Sequence, residues 1–403
     1  MSCVRASRAR VAAAVLAWAF LLLAAGRTAS PAEPAFERRV IDPDFPGAYQ
    51  VEVADVDGDK RPDIIAVGGG TCAWYQNPTW KKRVVSGPDR TPGIISSATI
   101  DLLGSGRAAI AIAYEFAMNE PKKGKLLLAT QDARKGLDEP WQLAPIAEIG
   151  SIHRLRWGDV NGDKRPDLVV APIFGAAAKP PGYQQQGAAV AVYYLKREDD
   201  VLSYSGDRID QEFPVLHAID VLDRDRDGFA EIYSASNLGV CELRIGLFNE
   251  WSFAPLVDGH QGEPPQRGAS EVHFGRLKDG REFLATIEPW HGSEVVVYLD
   301  GKGPRARSRE VIDATLADGH ALWVADVDGD GDDEVFAGHR GKDHRVSMYD
   351  LDPKSAQWTR TVLDKDIAAQ DLRGGDLDGD GTPDVVAVGG STHNVVWYRF
   401  PRR

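Results

Sequence analysis

The stretch Asp326-Val-Asp-Gly-Asp-Gly-Asp-Asp-Glu334 decides the fold, because the chain contains five copies of this pattern, the others beginning at Asp55, Asp159, Asp223 and Asp376. Carboxylates or amides stand at positions 1, 3, 5 and 9 of each copy. A tight loop of this kind supplies the several oxygen ligands that Ca²⁺ prefers. One solvated acidic turn could explain a single copy, but five at one spacing predict up to five structural calcium sites. The expected ligands are Asp55, Asp57, Asp59, Asp63, Asp159, Asn161, Asp163, Asp167, Asp223, Asp225, Asp227, Glu231, Asp326, Asp328, Asp330, Glu334, Asp376, Asp378, Asp380 and Asp384.

The residues that follow each loop separate two interpretations of it. An EF-hand would need flanking amphipathic helices and a bidentate Glu at position 12. Here the loops run at position 9 into apolar, β-type runs such as Ile64-Ile-Ala-Val67 and Val385-Val-Ala-Val388. Each loop is therefore expected to join two strands of a hairpin, with calcium fixing the turn.

The same pattern reveals the repeat. Two degenerate copies around Asp101 and Asp279 bring the number of repeats to seven, and no metal is expected at these two because most ligand positions are lost. Repeats of roughly 50 residues with four strands each predict an all-β fold, a seven-bladed β-propeller with four-stranded blades. The last repeat lacks a fourth strand, and Phe36-Glu-Arg-Arg-Val-Ile41 is expected to supply it and close the ring.

The N-terminal residues predict export. Arg5, Arg8 and Arg10 precede an apolar run from Val11 to Gly26, and small residues follow it. This arrangement is typical of a secretory signal peptide, here residues 1–30, which leaves residues 33–403 as a single propeller domain in a secreted or periplasmic protein. A membrane anchor is the alternative, but the run is short, and no other segment is expected to enter a membrane.

Charge and cysteine usage limit the partners. The net charge of −13 argues against nucleic acid as a partner,. Cys72 and Cys241 lie in different repeats, so we expect no disulfide between them,. A monomer is expected.

Histidines recur at one position of the repeat. Six residues before the first loop carboxylate stand His153, His217, His273 and His320 in four consecutive repeats, although the chain has only nine histidines. The other three repeats have Tyr49, Ile95 and Gln370 at this position. The first strands of a propeller converge on its axis, so these imidazoles are expected to line one mouth of the central channel.

Other polar residues are expected at the same mouth. The loops after the second strands return to the histidine side, and they carry Tyr114, Glu115, His291, His339 and Arg340. A walled pocket with such groups suits a polar ligand, and we predict a carbohydrate. Glu115 and Glu288 form the only carboxylate pair that could be offered for glycoside hydrolysis,.

Three roles remain open for the histidines. They could hydrogen-bond neighbouring blades and fill the channel. Three or more imidazoles could instead hold Zn²⁺ or another transition metal that polarises a substrate oxygen. Alternatively, neutral histidines could act as general base and acid, with Arg340 facing a carboxylate or a developing enolate. Both chemistries suit β-elimination from a keto-sugar or a uronic acid.

Particular motifs carry a family resemblance. The Asp-rich hairpins and Trp74-Tyr-Gln-Asn-Pro78 resemble the FG-GAP/VCBS repeats of integrin-type propellers. Ser151-Ile-His-Arg154, Glu288-Pro-Trp-His-Gly292 and Ala337-Gly-His-Arg340 are similar to the propeller domain of aldos-2-ulose dehydratases and, more loosely, to seven-bladed polysaccharide lyases. The resemblance implies a sugar lyase with a site formed by His153, His217, His273, His291, His320 and His339. The seven expected blades account for residues 33–403, so no segment of this sequence is expected to form the cupin domains of the dehydratase family.

The resulting expectation is a calcium-stabilised, exported lyase or dehydratase that acts on a carbohydrate at a central histidine-lined funnel. The alternative is a non-catalytic lectin or adhesion propeller. A lectin would repeat its binding residues from blade to blade, whereas the residues after the second strands differ between these repeats and the histidines gather at one axis. That asymmetry favours a single central site and hence an enzyme.

Overall fold

The protein is built from antiparallel β-sheets only. The computed structural model describes residues 36–198, 201–246, 250–300, 307–352 and 354–402. Within these ranges 28 strands form seven four-stranded sheets, and no α-helix occurs. None of the described residues forms a helix that is long and apolar enough to cross a membrane. The signal peptide predicted over residues 1–30 lies outside the described residues.

The first four blades take their strands in chain order. Blade 1 contains β2 (Ala48–Ala54), β3 (Asp63–Gly68), β4 (Thr71–Gln76) and β5 (Lys81–Ser86). Blade 2 contains β6 (Ser96–Ile100), β7 (Ala109–Tyr114), β8 (Lys125–Thr130) and β9 (Gln142–Glu148). Blade 3 contains β10 (Ile152–Gly158), β11 (Asp167–Pro172), β12 (Ala191–Glu198) and β13 (Val201–Arg208). Blade 4 contains β14 (Ala218–Leu222), β15 (Glu231–Ser236), β16 (Gly239–Ile245) and β17 (Trp251–Val257).

The last three blades complete the ring. Blade 5 contains β18 (Glu271–Arg276), β19 (Glu282–Glu288), β20 (Glu294–Asp300) and β21 (Arg307–Asp313). Blade 6 contains β22 (Gly319–Ala325), β23 (Glu334–His339), β24 (Arg345–Asp352) and β25 (Gln357–Asp364). Blade 7 contains β26 (Ala369–Gly375), β27 (Asp384–Gly389), β28 (Asn394–Arg399) and, as its outer strand, β1 (Glu37–Asp42).

The first strand of each blade is the innermost one. Each of these strands contacts the first strands of both neighbouring blades, from β2 round to β26 and back to β2. Strand β1 pairs with β28 in antiparallel register, Val40 opposite Val396. The seven-bladed architecture and the closing N-terminal strand predicted from the sequence are confirmed.

The hydrophobic core lies between the blades. The second strands β3, β11, β15, β23 and β27 are buried along their whole length. Their near-continuous apolar sequences fit this position, because both faces of the strand are covered by neighbouring sheets. One cluster joins Phe336 of blade 6 to Leu372 and Val385 of blade 7, all fully buried. Truncating such a side chain to Ala is expected to cost about 2–5 kcal/mol.

A tyrosine–carboxylate–cation clamp links successive blades. At the junction of blades 6 and 7, the Tyr398 hydroxyl donates to Asp364 Oδ2 at 2.8 Å and Arg38 Nε donates to the same oxygen at 2.7 Å. The same contacts link blade 5 to blade 6 and blade 7 to blade 1, through the sets Asp313 with Tyr349 and Arg360, and Asp42 with Tyr75 and Lys82. Each carboxylate ends the outer strand of one blade and is held by the next blade, so neighbouring sheets are aligned by polar contacts as well as by packing.

Candidate functional site

The loop carboxylates converge as the repeated pattern requires. In four loops three carboxylates present oxygens within 4.8 Å of one another. These sets are Asp55, Asp57 and Asp63; Asp223, Asp225 and Glu231; Asp326, Asp328 and Glu334; and Asp376, Asp378 and Asp380. The loop that begins at Asp159 has the amide of Asn161 at position 3 in place of a carboxylate.

The carboxylate at position 9 lies inside the protein. Asp63 is fully buried, and its Oδ2 accepts a hydrogen bond from the backbone N–H of Val56 at 2.9 Å. Burial raises the pKa of Asp63, Asp167 and Asp384 to about 7, and that of Glu334 to about 9. A buried anion among other carboxylates is unfavourable unless a cation is close by. These loops therefore have the electrostatics of a cation site.

The loop of blade 4, which begins at Asp223, already contains a cation from the protein itself, the side chain of Arg244. Arg244 Nη2 lies 2.5 Å from Asp225 Oδ2 and 2.5 Å from Glu231 Oε1, and Arg244 Nη1 lies 3.5 Å from Asp227. The guanidinium thus pairs with three of the predicted ligands. In the described part of the chain this arrangement occurs in blade 4 alone: Gln76 meets Asp57 in blade 1, and Arg399 pairs with Asp378 but with no second carboxylate of its loop.

At the opposite face four imidazoles come together, those of His153, His217 and His320 from the beginnings of innermost strands and that of His291 from the loop after β19. The rings of His153 and His217 are 4.7 Å apart, and His217 lies 4.9 Å from both His291 and His320. Tyr49 from blade 1 packs edge-on against His153 and His320. We call this group, His153, His217, His291, His320 and Tyr49, the histidine mouth.

Backbone carbonyls fix the tautomer of three of these histidines. The Nδ1 atoms of His153, His217 and His320 lie 2.7, 2.8 and 2.6 Å from carbonyl oxygens of His217, Ser270 and Gln370. A carbonyl can only accept, so each Nδ1 carries the proton. In the neutral ring each Nε2 therefore carries a lone pair that can accept a hydrogen bond.

The three Nε2 atoms differ in their partners. His153 Nε2 accepts from the Tyr49 hydroxyl at 2.8 Å and lies 3.3 Å from Arg154 Nη1. Tyr49 has one proton to give, and its contact to His320 Nε2 is longer, at 3.3 Å. His153 is thus satisfied within the protein, whereas the Nε2 lone pair of His320 has no short donor among the described residues.

Arg340 orders the fourth histidine. Its Nη2 donates to His291 Nδ1 at 3.2 Å, while its other nitrogens donate to Asp318 Oδ2 and Gln370 Oε1, both at 2.8 Å. With Nδ1 accepting, the proton of neutral His291 sits on Nε2, which lies 3.1 Å from His217 Nε2. The Nε2–H group of His291 therefore points to the lone pair of His217 Nε2.

Burial keeps the imidazoles neutral. His217, His320 and His153 are 0, 1 and 2% exposed, and burial lowers the pKa of all three well below the usual value. Burial also lowers the pKa of His291, with His217 and Arg340 adding to the shift. At neutral pH these groups can accept a proton or bind a metal ion without first losing a proton.

An aromatic wall stands beside the histidine mouth. Phe174 and Tyr183, from the long loop after β11, stack with ring centroids 4.0 Å apart, and Trp290 meets both rings edge-on. Trp290 in turn packs 4.8 Å from His291. The buried Nε1 of Trp290 has no hydrogen-bond partner among the described residues. Phe174 and Tyr183 are buried, so the wall presents only the partly exposed indole of Trp290 next to the imidazoles.

The structure places His273 outside this group. Its ring packs 5.1 Å from Trp323, and its Nδ1 lies 3.4 Å from Asp220 Oδ2. The turn of blade 5 is shorter: Arg276 pairs with Glu282, whereas in blade 3 the corresponding pair is Gly158 with Asp167. Counting back six residues from Asp279 therefore stops two residues short of the register.

Glu271 is the blade 5 residue at the register of the histidine mouth, and the sequence analysis missed it. Its Oε1 lies 3.0 Å from His217 Nδ1 and 3.5 Å from Arg154 Nη2. Pairing the turn by its closing residues, rather than by its first carboxylate, would have located it.

The remaining predicted site residues make local contacts. His339 Nδ1 lies 3.1 Å from the Ala317 carbonyl, and Glu115 pairs with Lys125 at 2.8 Å. Tyr114 packs against an apolar cluster between blades 1 and 2. Glu288 is fully buried and accepts hydrogen bonds from Thr286, Tyr298 and Arg309, which makes it a structural carboxylate.

The histidine mouth fits a transition-metal site. Nitrogen atoms of His217, His291 and His320 lie within 4.8 Å of one another. The Nδ1–H to carbonyl hydrogen bonds of His217 and His320 are the orienting contacts that zinc-binding histidines use. His291 would need its Nδ1 proton directed to Asp318 Oδ1, which lies 3.5 Å away.

The architecture defines the class: the described residues form a seven-bladed β-propeller. Residues 326–387 match the family model described as an FG-GAP-like repeat, and residues 128–301 match that of the aldos-2-ulose dehydratase beta-propeller domain. The second match includes His153, His217, His291 and the aromatic wall. Both resemblances predicted from the sequence are confirmed.

Two further comparisons concern the whole chain. A solved structure of an Agrocybe aegerita lectin, described as recognising non-reducing terminal N-acetylglucosamine, has 14% sequence identity, a TM-score of 0.50 and coverage of 86% of each chain. This likeness shows the propeller fold. No curated protein matches the sequence.

Proposed function

We propose that the histidine mouth binds a carbohydrate and eliminates water or a glycosidic leaving group from it. The observation that carries this proposal is the pairing of an unprotonated acceptor with a donor: His320 Nε2 has a lone pair without a short donor, and His291 holds its proton on Nε2. The two rings are 5.1 Å apart. β-Elimination from a sugar needs such a pair, one group to take a proton from carbon and another to donate a hydrogen bond to the leaving oxygen.

The steps assign one role to each group. His320 Nε2 takes the proton from the carbon next to a carbonyl or carboxylate, the carbon–oxygen bond at the neighbouring carbon breaks, and a carbon–carbon double bond forms. The imidazolium formed at His320 returns this proton to the leaving oxygen, which accepts a hydrogen bond from His291 Nε2–H and departs as water or as a sugar hydroxyl, so both imidazoles end neutral. Arg340 stabilises the negative charge that develops on the carbonyl or carboxylate oxygen. Positioned acid–base groups of this kind contribute about 10²–10⁴-fold to a rate.

A transition metal held by His217, His291 and His320 would act as a Lewis acid on a substrate oxygen. In that case Arg340 releases His291 Nδ1, whose proton turns to Asp318, and the freed guanidinium is available to an acidic substrate. The partly exposed indole of Trp290, backed by the buried Phe174 and Tyr183, supports sugar binding in either case, since it offers an apolar face to a sugar ring,.

A carbohydrate-binding protein without catalysis is the second candidate. The partly exposed Trp290 indole favours it, because it provides a contact for a sugar that does not depend on proton transfer. The two candidates share the site and differ in turnover.

The test combines metal analysis with an elimination assay. The ultraviolet absorbance of a new conjugated double bond is followed with keto-sugars and uronic acid oligosaccharides, using wild type, His320→Ala and the control His260→Ala, whose ring is partly exposed and pairs with Glu294. Turnover that is lost in His320→Ala and kept in the control supports the lyase. Saturable sugar binding with no turnover by any metal-loaded form supports the lectin.

We also propose that Ca²⁺ occupies the loops beginning at Asp55, Asp159, Asp326 and Asp376, and that Arg244 replaces it in blade 4. A protein stabilised in this way suits a calcium-rich location outside the cytoplasm, in line with the leader expected from the sequence. Cys72 and Cys241 are both buried and free.

A further inference from the structure

The central channel has a second mouth, at the end of the innermost strands that leads into the metal loops. A cavity of about 290 Å³ opens there. It is lined by residues of β2, β6, β10, β22 and β26, which are five of the seven innermost strands, so it lies on the propeller axis. On β10 it begins at Leu155, and Arg156 stands three residues from His153, about 10 Å along an extended strand.

Two arginines face this cavity from different blades. Arg156 of β10 and Arg373 of β26 both line it, together with the indoles of Trp157 and Trp323. The Arg373 guanidinium lies over the Trp323 ring at 5.6 Å and donates to Asp371 Oδ1 at 3.0 Å. Trp157 is anchored through Nε1 to the Ala98 carbonyl at 2.9 Å.

Arg156 has no carboxylate of its own. Its one hydrogen bond runs from Nη1 to the Leu155 carbonyl at 2.8 Å, and no carboxylate of the described residues lies within salt-bridge distance of it. The surrounding carboxylates are engaged elsewhere: Asp371 pairs with Arg373, and Asp220 lies beside His273. Glu52, which also lines the cavity, accepts hydrogen bonds from Ser97 and from the backbone N–H and hydroxyl of Thr99.

A second donor at the cavity lacks an acceptor. The buried Nε1 of Trp323 has no hydrogen-bond partner in the described part of the chain. Burial and the neighbouring Arg373 lower the pKa of Arg156 to about 10, so its surroundings disfavour the cation. A buried charge without a partner is costly, and an oxyanion between the two guanidinium groups would offset that cost.

We propose that this axial cavity is a binding site for a small oxyanion, the carboxylate of an acidic sugar or an inorganic sulfate or phosphate, held between Arg156 and Arg373. The flat indoles of Trp157 and Trp323 form the apolar walls of the site, and Trp323 Nε1 is a third donor to the anion. The site lies at the far end of the channel from the histidine mouth and does not depend on the function proposed there.

The test is isothermal titration calorimetry with sodium sulfate, sodium phosphate and sodium glucuronate, each against sodium chloride at equal ionic strength. One saturable site is expected in the wild type. Arg156→Gln and Arg373→Gln are each expected to weaken binding about tenfold or more, about 1.4 kcal/mol. Arg156→Lys, which keeps the charge but loses the planar fork, is expected to fall between them and the wild type, and it serves if Arg156→Gln does not fold.

Two controls separate this site from other anion sites. Arg90→Gln removes an exposed charge whose side chain makes no hydrogen bond within the described residues, and it should leave binding unchanged. Arg340→Gln alters the histidine mouth and should leave sulfate and phosphate binding unchanged. Sulfate and phosphate binding without glucuronate binding identifies a free inorganic ion as the ligand, and the reverse identifies a sugar acid. Absence of saturable binding, or a loss seen only in Arg340→Gln, overturns the proposal.

Discussion

Removing calcium from this propeller should lower its melting temperature by an amount that corresponds to four sites rather than five. A site saturated at one hundred times its dissociation constant stabilises the fold by about 2.7 kcal/mol. The compact unit spans residues 34–403. At about 2.1 cal/mol/K per residue its unfolding entropy is about 0.8 kcal/mol/K. Each site is then worth about 3–4 °C, and chelation of four sites about 14 °C.

Substitutions in two loops make the prediction specific. Asp326→Ala should remove one equivalent of calcium and lower the melting temperature by about 3–4 °C. Asp223→Ala should lose backbone hydrogen bonds but no calcium, because Arg244 already neutralises that loop. Arg244→Ala should expose the carboxylates of blade 4 and add one equivalent.

The assay is calcium content by atomic emission, paired with calorimetric melting before and after chelation. An unchanged melting curve after chelation would refute calcium as a stabilising ligand. Five equivalents in the wild type, with no gain in Arg244→Ala, would refute the role assigned to Arg244.

Three further predictions concern the histidine mouth and its surroundings. His217→Ala should abolish binding of added Zn²⁺, measured by equilibrium dialysis, whereas His273→Ala should keep it. Equal Zn²⁺ binding by both variants would show that the metal does not bind at the histidine mouth. Trp290→Ala should weaken sugar binding about tenfold or more in calorimetry, while Trp358→Ala, a change at an outer strand of blade 6, should not; a loss in both would indicate a general structural effect. Tyr298→Phe should destabilise the fold by about 1–3 kcal/mol, because it removes a hydrogen bond to the buried Glu288,. Turnover should stay unchanged. A drop in turnover at full stability would instead assign Glu288 a role in the reaction.

The fold was predictable because one loop pattern is repeated at a fixed distance from its strands. Each loop of the Asp326 type is followed by a strand that is buried along its whole length, and such a strand has only one environment in a propeller. The closing strand was equally predictable, since blade 7 lacks an outer strand and Arg38-Arg-Val40 resembles Lys82-Arg-Val84 of the outer strand of blade 1.

The site was predictable only where the spacing was constant. Counting back from the loop carboxylate located Tyr49, His153, His217 and His320, which do share one register. It failed in blade 5, where the turn lost three residues and its acidic residue moved, so Glu271 rather than His273 occupies that register. A change of loop length cannot be seen from the first carboxylate alone.

Contacts between distant parts of the chain were beyond the sequence pattern. Arg244 lies on a third strand, and its position inside the loop of Asp225 depends on how that strand pairs. The aromatic wall likewise forms because a loop of blade 3 reaches Trp290 of blade 5. Neither pairing has a fixed separation that a repeat could reveal.

The seam between β1 and β28 has a consequence for the order of assembly. Strand β1 pairs with β28, Glu37 opposite Arg399, and these residues are 362 positions apart, so the two parts of blade 7 meet only after the rest of the chain has been synthesised. The entropic cost of closing so large a loop grows only with the logarithm of its length, but the search delays the contact. Blades 1 to 6 can each assemble from contiguous residues as they emerge, whereas blade 7 is completed only when its last strand, β28, pairs with β1. A nascent chain that is cut short before β28 leaves β1 without its partner. Such an incomplete chain cannot close the ring, whereas a complete chain can.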